Sequence, residues 1–110
     1  MSADEKVLSE LFAVIESRKS ADPETSYTAR LYAKGPRKIA QKLGEEAIEA
    51  TIAAVAQGKD ELVNESADLL YHLLVLWAAK GVAPAEVWAE IEKRFGTSGL
   101  AVKEARRKKG

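Results

Sequence analysis

The chain has 110 residues, 46% hydrophobic and 31% charged, with seventeen basic residues balanced by seventeen acidic ones. That suits one domain spanning 1–110 with a modest core, and the neutral balance gives no general pull toward nucleic acid or a membrane surface. Cysteine is absent, which excludes disulfides, thiolate zinc sites and cysteine nucleophiles and points to a reducing cytoplasmic setting, and His72 is the single histidine.

Met1 to Lys6 lacks the basic and apolar regions of a signal peptide. Asp4 is placed to cap a first helix running to about Arg18, with Val7, Leu8, Leu11, Phe12, Val14 and Ile15 as its apolar stripe. Ser20 to Thr28, with Asp22-Pro23 and several small polar residues, reads as a loop, followed by the basic residues Arg30, Lys34, Arg37 and Lys38.

Pro36 after Gly35 opens a second helix that should run to about Gln57 and stop at Gly58. Gly44 inside it suggests close approach of a ligand or a neighbouring helix. Asp60 is the expected cap of a third helix ending near Lys80-Gly81. Between Leu69 and Ala79 this helix is apolar nearly all round, too short to cross a bilayer, and a second copy of the chain is expected to cover part of it. Pro84 opens a fourth helix with Val87, Trp88, Ile91 and Phe95 as its stripe, ended by Gly96; the aromatics Trp77, Trp88 and Phe95 read as core or interface. A turn at Gly96 to Leu100 precedes a basic tail, about residues 104–110, expected to fray.

Two acidic clusters interrupt this plain pattern: Glu45, Glu46 and Glu49 on the second helix, Glu65 and Asp68 on the third. At helical spacing Glu49 lies one turn from Glu45 and Glu46, and Glu65 one turn from Asp68, so like charges stack at roughly 0.2–0.5 kcal/mol per pair in water. The arcs that carry them continue as apolar positions, Ile52, Ala53 and Ala56 on one helix and His72, Val75, Leu76 and Ala79 on the other. The acids therefore face a crevice between helices and need a compensating cation. A turn at about Gly58-Lys59 would make the two helices an antiparallel hairpin, with Glu49 beside Asp68 and Ile52 beside Glu65. Lys42 and Lys38 precede the acids on the same face, within reach of an anion that bridges to the metal. Oxygen-only ligation suits Mg²⁺, or Mn²⁺ in its place, and needs no histidine. His72, four residues after Asp68, reads as a hydrogen-bonded core residue.

Together Ser26-Tyr27-Thr28-Ala29, Lys34-Gly35, Lys42-x-Gly44-Glu45-Glu46-x-x-Glu49, Glu65-x-x-Asp68-Leu69-Leu70-Tyr71-His72 and Gly96-Thr97-Ser98-Gly99 resemble the phosphoribosyl-ATP pyrophosphatases of histidine biosynthesis. The acidic pattern by itself resembles the wider MazG-like, all-α nucleoside triphosphate pyrophosphatases. The resemblance implies an all-α fold of about four main helices around a central antiparallel hairpin, completed as a bundle in a homodimer. It implies Mg²⁺-dependent hydrolysis of a nucleotide, 1-(5-phosphoribosyl)-ATP, to 1-(5-phosphoribosyl)-AMP and pyrophosphate. Carried over by position, Glu45, Glu46, Glu49, Glu65 and Asp68 are the implied metal ligands and catalytic acids. Lys42 is the implied phosphate-proximal lysine, with Lys34, Tyr27, Ser26, Thr97 and Ser98 near substrate. Without the length or the cysteines of a fused zinc cyclohydrolase, the chain corresponds to the monofunctional form.

Three other readings compete. A house-cleaning pyrophosphatase of ordinary nucleotides would use the same acids. A di-iron bundle needs Glu-x-x-His, and Leu69 stands three before His72. A helical dimerisation module without activity leaves the inward acids unexplained.

Overall fold

Each helix boundary in the computed structural model has a local cause; the structure describes residues 4–95 and 103–107. Asp4 Oδ1 accepts the Lys6 N–H at 2.9 Å, and α1 (Lys6–Ser17) tightens into a 3₁₀ turn (Arg18–Ser20) where the sequence placed its end. The expected loop over 20–28 is shorter than the sequence suggested, because a further helix, α2 (Tyr27–Lys34), begins inside it. Ser26 caps it, its Oγ accepting the Ala29 N–H at 3.1 Å. At eight residues the helix is too short to show a repeating apolar stripe, and it is held instead by burial of Ala29 and Leu31. The Tyr32 hydroxyl adds a tie, donating to the Ile15 carbonyl at 3.0 Å.

Gly35 ends α2 at φ 92°, a conformation that side-chain-bearing residues rarely adopt, and so lets the chain turn directly into Pro36, the first residue of α3 (Pro36–Ala56). α4 (Lys59–Lys80) starts two residues earlier than expected: Gly58 is its cap and the Glu61 carboxylate accepts the Gly58 N–H at 2.9 Å, leaving Asp60 within the first turn. Gly81 closes α4 in the left-handed conformation, as its place in the sequence suggested. α5 (Pro84–Lys93) is capped by Glu86, which accepts the Ala83 N–H at 2.9 Å. Residues 103–107 are helical, and the rest of the expected frayed tail, 108–110, lies outside the described residues.

All the described regular structure is helical, and α3 and α4 form the expected antiparallel hairpin. The core draws Ile15 from α1, Leu31 from α2, Ile39 from α3, and Leu74, Val75 and Ala78 from α4. Each large apolar side chain buried there contributes about 1.5–3 kcal/mol. Trp77 meets Trp88 edge to face at 5.9 Å, joining α4 to α5, while Phe95 is exposed. Within Leu69 to Ala79 the chain buries His72, Leu74, Val75 and Ala78, leaves Leu70 exposed and the remaining residues partly covered. An apolar stripe on α3 is also uncovered: Ile48, Ile52 and Val55 are 60%, 46% and 85% exposed.

Candidate active site

Three carboxylates meet between the arms of the hairpin: Glu46 and Glu49 of α3 and Glu65 of α4 each place one oxygen within 4.8 Å of the others. Helical spacing puts Glu46 and Glu49 on one face of α3, and the antiparallel turn brings Glu65 against them. The register differs by about one helical turn from the sequence expectation, since Glu49 meets Glu65 rather than Asp68. The turn is centred on Gln57 and Gly58, because Lys59 is already helical, and moving that centre by one residue moves every cross-hairpin partner by two.

Glu46 and Glu65 are half-buried, and the Oε2 of each is shielded from solvent with no hydrogen-bond partner. Burial pushes the Glu46 carboxyl above its usual range, with the neighbouring charges of Glu49 and Asp68 adding to the shift. Desolvation likewise raises Glu65, followed by its hydrogen bond with Glu49 and the charges of Glu49 and Glu46. Three carboxylates this close repel one another, so the trio needs either shared protons or a cation. Its donors are all carboxylate oxygens, the set suited to a hard divalent ion, and the two partnerless buried oxygens are the atoms such an ion would satisfy.

The other acids expected in this cluster take different positions. Asp68 is exposed and acts on Glu46 through its charge without joining the close trio. Glu45 is exposed and turned toward its own helix, accepting from Gln41 Nε2 at 3.0 Å and lying 3.6 Å from Lys42 Nζ. The Gln41 hydrogen bond leads the causes that hold its carboxyl below the usual range, and Lys42 and Lys38 add to it. Sequence spacing could not separate Glu45 from Glu46, because adjacent residues on a helix edge differ by only about 100°. A Cβ at Gly44 would meet nothing within 4 Å, so no described helix of this chain requires a glycine there.

Lys42 is partly buried and Lys38 sits one turn before it, both on the face leading to the acids. Ser26 and Lys34 stand at opposite ends of α2, Ser26 engaged as its cap. Tyr27 is 46% exposed, and its hydroxyl lies 3.2 Å from His72 Nε2. His72 is buried, with Nδ1 2.8 Å from the Asp68 carbonyl, which makes it the hydrogen-bonded residue its position suggested. Beside this pair, the Thr28 and Tyr71 hydroxyls hydrogen-bond to each other. The four polar residues are visible in the sequence as Tyr27-Thr28 and Tyr71-His72, but nothing local says that the two pairs meet. Thr97 and Ser98 lie outside the described residues. No described helix is long and apolar enough to cross a membrane.

Residues 8–95 match the family profile of phosphoribosyl-ATP pyrophosphohydrolase. The phosphoribosyl-ATP pyrophosphatase of Paramagnetospirillum magneticum is 62% identical over 99% of this chain and 100% of its own length. The proteins of that name from Azospirillum brasilense and Rhodobacter capsulatus are 57% and 59% identical, over 92% and 90% of this chain and 91% and 96% of theirs. An acidic trio in an all-helical hairpin, seen with these similarities over nearly the whole chain, places the protein in the phosphoribosyl-ATP pyrophosphohydrolase family.

Proposed function

We propose that the chain hydrolyses 1-(5-phosphoribosyl)-ATP to 1-(5-phosphoribosyl)-AMP and pyrophosphate, the second step of L-histidine biosynthesis. The names of its full-length relatives support that substrate. The observation that carries the chemistry is the pair of buried, partnerless oxygens on Glu46 and Glu65, which meet with Glu49 between the arms of the hairpin.

Glu46, Glu49 and Glu65 are the proposed first ligands of Mg²⁺, or of Mn²⁺ in its place. Bound there, the ion supplies positive charge to the polyphosphate as the anhydride breaks, and acidity to water. Asp68 and Glu45 are second candidates, the first through its charge on the trio and the second after leaving Gln41 and Lys42. Lys42 forms only a long, partly exposed pair with Glu45, worth little in water, so it is free to turn to a phosphate. Lys34, Ser26, Tyr27, Thr97 and Ser98 are proposed substrate contacts on the strength of the family motifs. Water adds across the anhydride between the α- and β-phosphates, and a carboxylate beside the trio accepts its proton.

We place the reaction in the cytoplasm and in a homodimer, with no nucleic-acid or membrane partner. The exposed α3 stripe of Ile48, Ile52 and Val55 supports a second copy as its cover. Product analysis tests the activity: pyrophosphate, not single phosphate, should appear from phosphoribosyl-ATP only with the metal. Turnover of dUTP or dCTP in its place would make the protein a nucleotide-pool cleaner.

A further inference from the structure

His72 takes no part in the reaction as proposed above, yet it is a buried polar side chain with both ring nitrogens engaged. The Asp68 carbonyl can only accept, so the hydrogen lies on Nδ1, and in the neutral ring Nε2 is left to accept from the Tyr27 hydroxyl. The imidazole stands edge-on to both tyrosines, 6.1 Å and 80° from Tyr27, 5.0 Å and 86° from Tyr71. Tyr27 also stacks on Tyr71 at 6.2 Å, and the Thr28 and Tyr71 hydroxyls are bonded next door. Two successive residues in the first turn of α2 are thus joined to two successive residues of α4.

The result is a tyrosine held at its hydroxyl yet 46% exposed as a residue. Its place along α4 matters. From Glu65 to His72 is seven residues, about 10 Å of helix, in the direction that leads from the acids past Lys42 on the facing arm. A nucleotide held by its phosphates at the trio extends its ribose and base over such a distance.

We infer that His72 is a positioning residue: by holding the Tyr27 hydroxyl it fixes the phenol ring as the wall on which the nucleoside end of the substrate packs. This rests on the nucleotide substrate proposed above and assigns binding of its non-reacting end to the α2–α4 junction.

Steady-state kinetics of the full chain with phosphoribosyl-ATP and Mg²⁺ test it. Tyr27→Phe removes the hydroxyl and keeps the ring. His72→Asn keeps a donor for the Asp68 carbonyl and cannot reach Tyr27, and His72→Gln extends an amide toward the lost Nε2. Each of Tyr27→Phe and His72→Asn should raise KM about tenfold with kcat held within about threefold, because binding rather than bond breaking is lost. The double variant should be no worse than about twofold beyond either single one, since both remove the same bond, and His72→Gln should recover most of the affinity. A wild-type KM in Tyr27→Phe overturns the inference even when His72→Asn does not fold, and so do effects of the two changes that multiply. Should the wild-type chain leave phosphoribosyl-ATP untouched, the substrate assignment itself falls; wild-type turnover with unaffected variants removes this inference alone.

Discussion

Glu46 of α3 and Glu65 of α4 approach within 4.8 Å across the hairpin, each with one buried oxygen that no protein group satisfies. A folded chain gains nothing from that arrangement by itself. The carboxylates repel and their desolvation is uncompensated, so the site lowers stability until a cation enters.

The sign of the pH dependence follows. Both carboxyls titrate above their ordinary value of 4.5 in the folded chain. As pH rises through 4.5 the unfolded chain gives up these protons first, so the folded state binds more protons and loses relative stability until its own raised values are passed. Denaturant midpoints measured with chelator should therefore fall as pH rises above 4.5 more steeply for the wild type than for a Glu46→Gln, Glu65→Gln double variant. Adding Mg²⁺ near neutrality should restore the wild-type midpoint and leave the variant's unchanged. Equal slopes for the two chains would count against the cation site.

Glu45 and Glu49 separate on position. Glu49→Gln should lower kcat/KM by about two orders of magnitude, as loss of a proposed metal ligand does, whereas Glu45→Gln should cost about tenfold or less. Equal losses would return Glu45 to the ligand set.

Gly44 is exposed within α3 and a Cβ there meets open space. Gly44→Ala should stabilise the apo chain by about 0.5–1 kcal/mol in thermal or chemical unfolding. Stabilisation with a raised KM would show that the substrate passes over this glycine; a lower melting temperature would show a packing constraint that the single chain does not contain.

How much of this could be read from the sequence depends on length and on punctuation. α3 and α4 run 21 and 22 residues, enough turns for acidic and apolar faces to be told apart, and Gly58 and Gly81 mark their ends. α2 has eight residues, and its support comes from Leu31 and from the Tyr32 tie to Ile15, contacts that no local pattern encodes. The hairpin register differs from the expected one, and Gly58 rather than Asp60 caps α4. Glu65, three positions before Asp68, is the partner of Glu49 in the folded hairpin. The link from Tyr27 to His72 spans 45 positions and needed the packed helices to be seen.

The exposed stripe on α3 carries the proposal of a second copy. Light scattering on the wild-type chain should give twice the 12.0 kDa chain mass, and Val55→Glu with Ile52→Glu should give 12.0 kDa. A wild-type mass of one chain would leave the stripe without its proposed cover.

The most direct test of the metal-centred account is pyrophosphate release from phosphoribosyl-ATP by the wild type and by Glu65→Gln, with Mg²⁺ and with chelator, beside the melting temperature of each metal-free chain. The account predicts that the wild type releases pyrophosphate only with Mg²⁺. It predicts that Glu65→Gln loses about two orders of magnitude in kcat/KM while its metal-free form melts no lower than the wild type, because a repelling charge has gone. Metal-independent release, or a variant that is less stable and still fully active, would contradict it.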